Sequence, residues 1–388
     1  MKFVKERENT ERYVDNIFSV VRAAKADPEG INATAGCLYN EEGELFTYAS
    51  VYDQEKQITP IQRASYAASP AGNDAYVEAI TRFVLEDKVD NHHRSIATPG
   101  GTGAIYTSMR KCLEEGDTIL YPAISWGNYK VMASEMNLKT MTYDIYDLDD
   151  LFRKLDMFKS KVFLIVNSPC ENPLGYSYST EEWKRIMEKL VSLKKEVVLL
   201  CDIAYIDYAR DGSKEFFTLF NDIPDDLLVL IAASASKAFS YYGQRIGALI
   251  AIHNDPEFLD HFINLSGRLA RATWSNLSNA AMLNISEVLD HHYEEYQEEL
   301  AQAKGMLKKR TDLFIRQAEE CGLELYRFSD GFFVTIRMEN NEVRDSFHQK
   351  LIDHHIYTIK VNRGIRVALC SMPLRTVDGL AKKIKELM

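Results

Sequence analysis

Basic charge, paired cysteines, glycine- and proline-rich tracts and long apolar runs are all scarce in this sequence. Lys and Arg number 46 against 57 Asp and Glu, a formal net charge of −11. That sign suits neither nucleic acid nor an anionic membrane, since both are gripped by a net basic surface. The six cysteines (Cys37, Cys112, Cys170, Cys201, Cys321, Cys370) are scattered, with no C-x-x-C and no paired His spacing. This argues against a zinc site and a disulfide framework, and for a reducing, cytoplasmic setting. Only 19 Gly and 10 Pro occur, which excludes collagen-like and linker-rich chains. No stretch reaches the roughly 18 apolar residues of a membrane span. The opening MKFVKERENTERYVDN is charged throughout and leads into no apolar region, so no signal peptide is expected.

What is present is an ordinary folded composition, 46% hydrophobic and 27% charged. A length of 388 residues suggests two to three domains, at about 150 residues each. In the middle of the chain, apolar runs at 118–122, 161–166, 196–203, 227–233 and 246–252 alternate with helical patterns near 103–114, 126–137, 180–193 and 255–270. The runs are apolar on both faces, as strands covered by helices on either side must be. The alternation predicts an α/β domain with a mostly parallel sheet. Residues 278–320 read as one long helix or two joined ones. Strands are then expected at 323–328, 331–337, 356–361 and 365–370, with helices at 341–353 and 374–387. This gives a large domain at 46–290 and a smaller α+β domain combining 1–45 with 291–388.

The segment AASASKAFSYYGQRIGA (232–248) follows an apolar strand and carries one lysine among small residues, Lys237, with Arg245 eight positions on. An amine at the edge of a core is driven toward its neutral, nucleophilic form, the form that makes a Schiff base. Ser234, Ser236 and Arg245 are phosphate-binding types. The same segment also fits a lysine snorkelling from a strand end beside an unrelated arginine. In TPGGTGAI (98–105), glycines let the backbone approach a ligand and a helix start offers free N–H groups to an anion, although Gly-Gly is common in α/β turns. Asp202 follows Val197, Val198, Leu199 and Leu200, so a carboxylate at a buried strand end needs a partner. Asn172 sits in the turn NSPCENPLG (167–175), where it could reach a phenolic oxygen or serve ordinary Asn-Pro turn chemistry.

Taken in order, these segments resemble the fold-type I pyridoxal-phosphate aminotransferases, and within them the aspartate/aromatic group of class I. The similarity runs from NATAGCLYNEEGEL (32–45) to NRGIRVALCSM (362–372). It includes SWGNYK (125–130), ENPLG (171–175), SASKAF (234–239), QRIGA (244–248) and RATWSN (271–276). The resemblance implies an α/β fold with a mostly parallel seven-stranded sheet in the large domain. It implies pyridoxal phosphate bonded to Lys237, which also shuttles a proton, and Asp202 paired with the ring nitrogen. Asn172 and Tyr205 would meet the phenolic oxygen, and Trp126 would stack on the ring. Gly101, Thr102, Ser234, Ser236 and Arg245 would cup the phosphate, joined by Tyr66 from a neighbouring subunit. Arg366 would hold the substrate α-carboxylate, Gly36 would lie in a segment closing over the substrate, and Arg271 would serve the partner's site, which implies a homodimer.

Three positions depart from the family pattern: Tyr129 stands where a histidine backs the aspartate, Leu174 replaces a polar turn residue, and Ala64 replaces a lysine. The expected activity is transfer of an α-amino group between an aspartate-like or aromatic amino acid and a 2-oxo acid. A C–S lyase or decarboxylase is the alternative, and a non-catalytic scaffold is disfavoured by the retention of Lys237, Asp202 and Arg366. Trp274 and Phe332–Phe333 suggest an apolar pocket wall that leaves the preferred donor open. The doublets His92–His93, His291–His292 and His354–His355 form no metal-ligand pattern, and the charged run at 293–310 reads as a solvated helix face.

Overall fold

The computed structural model describes residues 16–388. Residues 1–15, the first part of the expected small domain, lie outside the described residues. The strands are β1 (Ile31–Asn32), β2 (His93–Thr98), β3 (Thr118–Pro122), β4 (Lys139–Tyr143), β5 (Lys161–Asn167), β6 (Glu196–Asp202), β7 (Leu227–Ser234), β8 (Gly247–Ile252), β9 (Phe333–Arg337), β10 (Ile356–Tyr357), β11 (Ile359–Val361) and β12 (Gly364–Ala368). Seven of them form one sheet in the order β2-β8-β7-β6-β5-β3-β4. All neighbours are parallel except β8, which runs against both β2 and β7. In β5, β6 and β7 nearly every side chain is buried, because helices cover both faces of the sheet.

Local chemistry starts the covering helices. Ser179 and Glu182 form a reciprocal capping box on Thr180–Ser192. Asp255 caps Pro256–Ala272, whose first residue is the proline that helix starts tolerate. Beyond the large sheet, β9, β11 and β12 form an antiparallel sheet and β1 pairs in parallel with β10. Ala33, Phe314, Val334, Ile365 and Leu380 belong to an apolar cluster of their own on this side. The backbone of Ala368 also donates to Ala33, so chain segments from the two ends meet.

Several expected elements differ. The sheet gains β2 and β4, which were not read from the sequence. The strand expected at 323–328 reduces to a bridge between Leu325 and Ile336. The run 356–361 divides at Thr358, because β10 pairs with β1 and β11 with β12. The helix expected at 374–387 breaks at Gly379, whose φ of +78° ends one helix and starts the next. The 278–320 stretch is two helices, Asn279–His291 and Tyr293–Cys321, meeting at His292.

Candidate active site

The site lies where the parallel strands end. β5 stops at Asn167, β6 at Asp202 and β7 at Ser234, while the reversed β8 begins there, Gly247 pairing with both Thr98 and Ser234. Gly247 is the residue that lets the glycine loop close on the sheet. A Cβ there would stand 2.4 Å from the Ala233 carbonyl oxygen and 2.8 Å from the Gly100 backbone. Gly100, at φ +69°, opens the 13-residue helix Gly100–Cys112, so the N–H groups of its first turn have no helical partner. Across from them Arg245 Nη1 donates to Ser236 Oγ at 3.1 Å and to the Tyr242 carbonyl at 2.9 Å, and the Ser236 amide donates to Ser234 Oγ at 3.3 Å. A Cβ on Gly100 would lie 2.8 Å from Arg245 Nη2, and one on Gly101 would lie 3.4 Å from Ser234 Cβ. Backbone donors, two hydroxyls and a guanidinium thus stand close together, a donor set suited to a phosphate.

Lys237 lies in the short helix Ala235–Ala238. Its Nζ stands 5.0 Å from the centre of the Tyr242 ring and 5.6 Å from that of Tyr205. Burial pulls its amine below the usual lysine range. Asp202 Oδ2 accepts from Tyr129 at 2.6 Å, and Oδ1 accepts from the Ala204 amide at 3.2 Å. Burial raises the Asp202 carboxyl, opposed by these two bonds and by the Lys237 charge. Tyr129 therefore does supply the hydroxyl that backs the aspartate, and Trp126 packs edge-on against it at 5.4 Å.

Arg366 is 6% exposed. Its Nη1 donates to Asn172 Oδ1 at 3.0 Å and its Nη2 to the Thr34 carbonyl at 2.6 Å. The guanidinium lies 4.2 Å from the Phe333 ring centre, and the buried Nε has no hydrogen-bond partner. Asn167 ties this end to the aspartate, accepting from the Asn172 amide at 2.9 Å and donating to the Asp202 carbonyl at 2.8 Å. Gly36 faces the same space: a Cβ there would lie 3.1 Å from Phe333 Cζ and 3.8 Å from the Tyr205 hydroxyl. Phe332 and Phe333 pack at 5.2 and 5.6 Å from the Tyr205 ring, forming the apolar wall expected there. Trp274 packs instead with the cluster that includes Trp126.

Lys237, Asp202, Tyr205, Asn172, Arg366, Gly36, Trp126, Gly101, Thr102, Ser234, Ser236 and Arg245 thus gather at one sheet end. Two expected residues stand apart on the surface. Tyr66 is 88% exposed, and Arg271, in the last turn of Pro256–Ala272, is exposed and donates to Ser275 Oγ. Sequence reading missed Tyr242, Thr34, Asn167 and Glu171. The position of Tyr242 between Lys237 and Arg245 was its only signal, and Thr34 acts through a carbonyl that every residue carries. Glu171 is fully buried, with Oε2 accepting from the Leu174 amide and burial pushing its carboxyl far up.

The family model "Aminotransferase class I and II" matches residues 29–384, and the chain belongs to this family. It is an aminotransferase of the fold-type I architecture. It is 24% identical over 379 residues to the cytoplasmic aspartate aminotransferase of Caenorhabditis elegans, covering 92% of this chain and 91% of that one. It is 24% identical over 294 residues to the aromatic-amino-acid aminotransferase of Escherichia coli strain K12, covering 71% and 73%. The crystal structure of an aminotransferase from Anaerococcus prevotii matches with TM-score 0.94 and 29% identity over 100% of this chain and 99% of that chain. The fold is shared with an aromatic-amino-acid aminotransferase from Burkholderia pseudomallei covalently bound to pyridoxal phosphate, at TM-score 0.82, 20% identity and 98% coverage of both. These relatives are named for transamination, and they do not favour a lyase. Pyridoxal phosphate is the family's cofactor, and the donor set here fits its charged ends: an anion cup at Gly100–Thr102, Ser234, Ser236 and Arg245, and a buried carboxyl at Asp202 for a ring N–H. Among the described residues no helix is long and apolar enough to cross a membrane.

Proposed function

We propose that this aminotransferase moves the α-amino group of an acidic or aromatic amino acid to 2-oxoglutarate in two half-reactions, as a cytoplasmic homodimer. The observation that carries the substrate reading is Arg366, a buried guanidinium whose bonds go to an amide and a carbonyl oxygen, leaving Nε unpartnered. Among the described residues no carboxylate forms an ion pair with it, Glu171 bearing on it only at longer range, and a buried cation in that state is costly to keep unless a ligand supplies the charge. A substrate α-carboxylate does so with two parallel bonds.

When bound, pyridoxal phosphate supplies the electron sink that weakens bonds at the substrate Cα. The Gly100–Thr102 amides, Ser234, Ser236 and Arg245 would hold its phosphate, and Trp126 would lie against its ring. Asp202, held by Tyr129 and the Ala204 amide, would keep a proton on the ring nitrogen. Asn172 and Tyr205 would reach the phenolic oxygen. Lys237, whose amine burial shifts toward the neutral form, would accept the Cα proton and hand it to the cofactor carbon. Tyr66 and Arg271 serve the neighbouring subunit's site, a role supported by their exposure. The chain divides into a large domain at 46–290 and a small one from 1–45 and 291–388, a grouping supported by the β1–β10 pairing.

The test is spectroscopic. Glutamate should abolish the visible absorbance of the holoenzyme and 2-oxoglutarate should restore it, with aspartate, tyrosine and phenylalanine ranked as donors by initial rate. Lys237→Ala should lose about 10³-fold in turnover while still binding the cofactor. Release of pyruvate and ammonia without any 2-oxo acid would sink the transaminase reading.

A further inference from the structure

Tyr242 makes three contacts, and the reaction as described uses none of them. Its ring faces the Lys237 amine at 5.0 Å, its carbonyl accepts from Arg245 Nη1 at 2.9 Å, and its hydroxyl accepts from the Leu38 amide at 3.0 Å. Leu38 is a core residue two positions after Gly36. The segment leading up to it carries the Thr34 carbonyl that holds Arg366. One residue therefore joins the lysine through its ring, the phosphate arginine through its carbonyl, and through its hydroxyl the substrate-facing segment, about 200 residues away in the chain.

We propose that Tyr242 is a positioning residue that couples the seating of the Gly36 segment to the placement and charge of Lys237. This rests on the reading of Lys237 given above. The physical basis is twofold. A tyrosine ring attracts an ammonium to its face, so the ring steadies Lys237 once it has taken up a proton. The hydroxyl fixes the height of the Gly36 segment through an amide that would otherwise need another acceptor. The groups that face Lys237 are Tyr205, Tyr242, Cys37, Cys370, Arg245 and Asp202. Two of these, Cys37 and Tyr242, are tied to the Gly36 segment itself, so movement of that segment changes what the amine meets.

Two substitutions separate the halves of the coupling. Tyr242→Phe keeps the ring and removes the hydroxyl. In the holoenzyme, hydrogen exchange at the Leu38 amide should quicken about tenfold while β5–β7 amides stay protected. The KM for the amino donor should rise several-fold, with kcat changed less than about twofold. Tyr242→Leu removes the ring as well. Loss of the cation's aromatic partner lowers the amine's affinity for a proton, so the acid limb of kcat should move to lower pH by about half a unit. Unchanged Leu38 exchange in Tyr242→Phe, or kcat and KM effects that do not differ between the two variants, would overturn the proposal. A Lys237→Ala holoenzyme that still turned over would instead overturn the reading of the lysine. Loss of turnover there, with silent Tyr242 variants, condemns the coupling alone.

Discussion

The two ends of the cleft are built by different means. The phosphate end is assembled from loops at three neighbouring strands, and its closeness comes from glycines: Gly100 and Gly247 bring backbone against backbone where a Cβ would collide. The carboxylate end is assembled from side chains and a carbonyl that come from Thr34, Asn172, Phe333 and Arg366. The first is held close because its backbone segments meet at the rim of one sheet. The second holds only as long as distant segments stay in place. An anion that should never leave suits the first construction, and one exchanged in every turnover suits the second.

Arg366→Lys should separate the two ends most strongly. A lysine cannot keep both the Asn172 and Thr34 bonds and a forked grip, so kcat/KM should fall about 10- to 100-fold, the worth of one charged hydrogen bond, ~1.5–3 kcal/mol. Cofactor affinity, measured by titrating the absorbance, should stay near wild type. Equal loss at both ends would erase the contrast. Gly247→Ala should do the reverse. The added methyl meets the Ala233 carbonyl, and the chain should lose about 1–3 kcal/mol in urea unfolding, with cofactor affinity falling before any change in donor KM. Tyr129→Phe leaves a buried Asp202 oxygen short of one donor. This should weaken cofactor binding by ~1–2 kcal/mol, read by equilibrium dialysis, and leave the ordering of donor substrates intact.

The smallest effect concerns the chain leading into the carboxylate end. Asp27 accepts from His355 Nδ1 at 2.6 Å and from Tyr357 at 2.8 Å, beside β1 and β10. The partners lower the Asp27 pKa and raise that of His355. The histidine's share of stability is full below its unfolded value, about 6.5, and is lost as pH rises through its raised folded value. The aspartate's share is full above about 3.9 and is lost as pH falls through its depressed folded value. Melting temperature should therefore ease downward above neutral pH, and His355→Gln should flatten that slope. A slope unchanged in the variant would remove the pair from the account.

Within the seven-stranded sheet, the strands legible in the sequence are those buried on both faces, β3 and β5 to β8. The two missed strands lie at the sheet edges, where HRSIAT and KTMTY keep polar side chains toward solvent and lose the apolar signature. The site followed the same division. Lys237, Asp202 and Arg245 were visible because a charged residue at the end of an apolar run is conspicuous. The Arg366–Asn172–Thr34 set was not visible as a set, since no local pattern shows that residues 34 and 366 touch. Tyr129 stands where the family has a histidine, and its hydroxyl does reach Asp202 from the helix Asn128–Glu135.

The reversed direction of β8 has a practical consequence for anyone recombining this chain with a relative. Because β7 and β8 are joined by a hairpin and not a crossover, residues 234–247 leave the sheet and return at the same rim. The reactive amine, its aromatic support and the anion-binding guanidinium are thus carried on one short excised piece. That piece moves as a unit only together with what it is bonded to, since Tyr242 accepts from the Leu38 amide, Ser240 donates to the Phe46 carbonyl and Tyr241 accepts from Asn284, and the next strand must begin with a residue as small as Gly247. No equivalent single cut exists for Arg366, whose neighbours would have to be moved from three places at once.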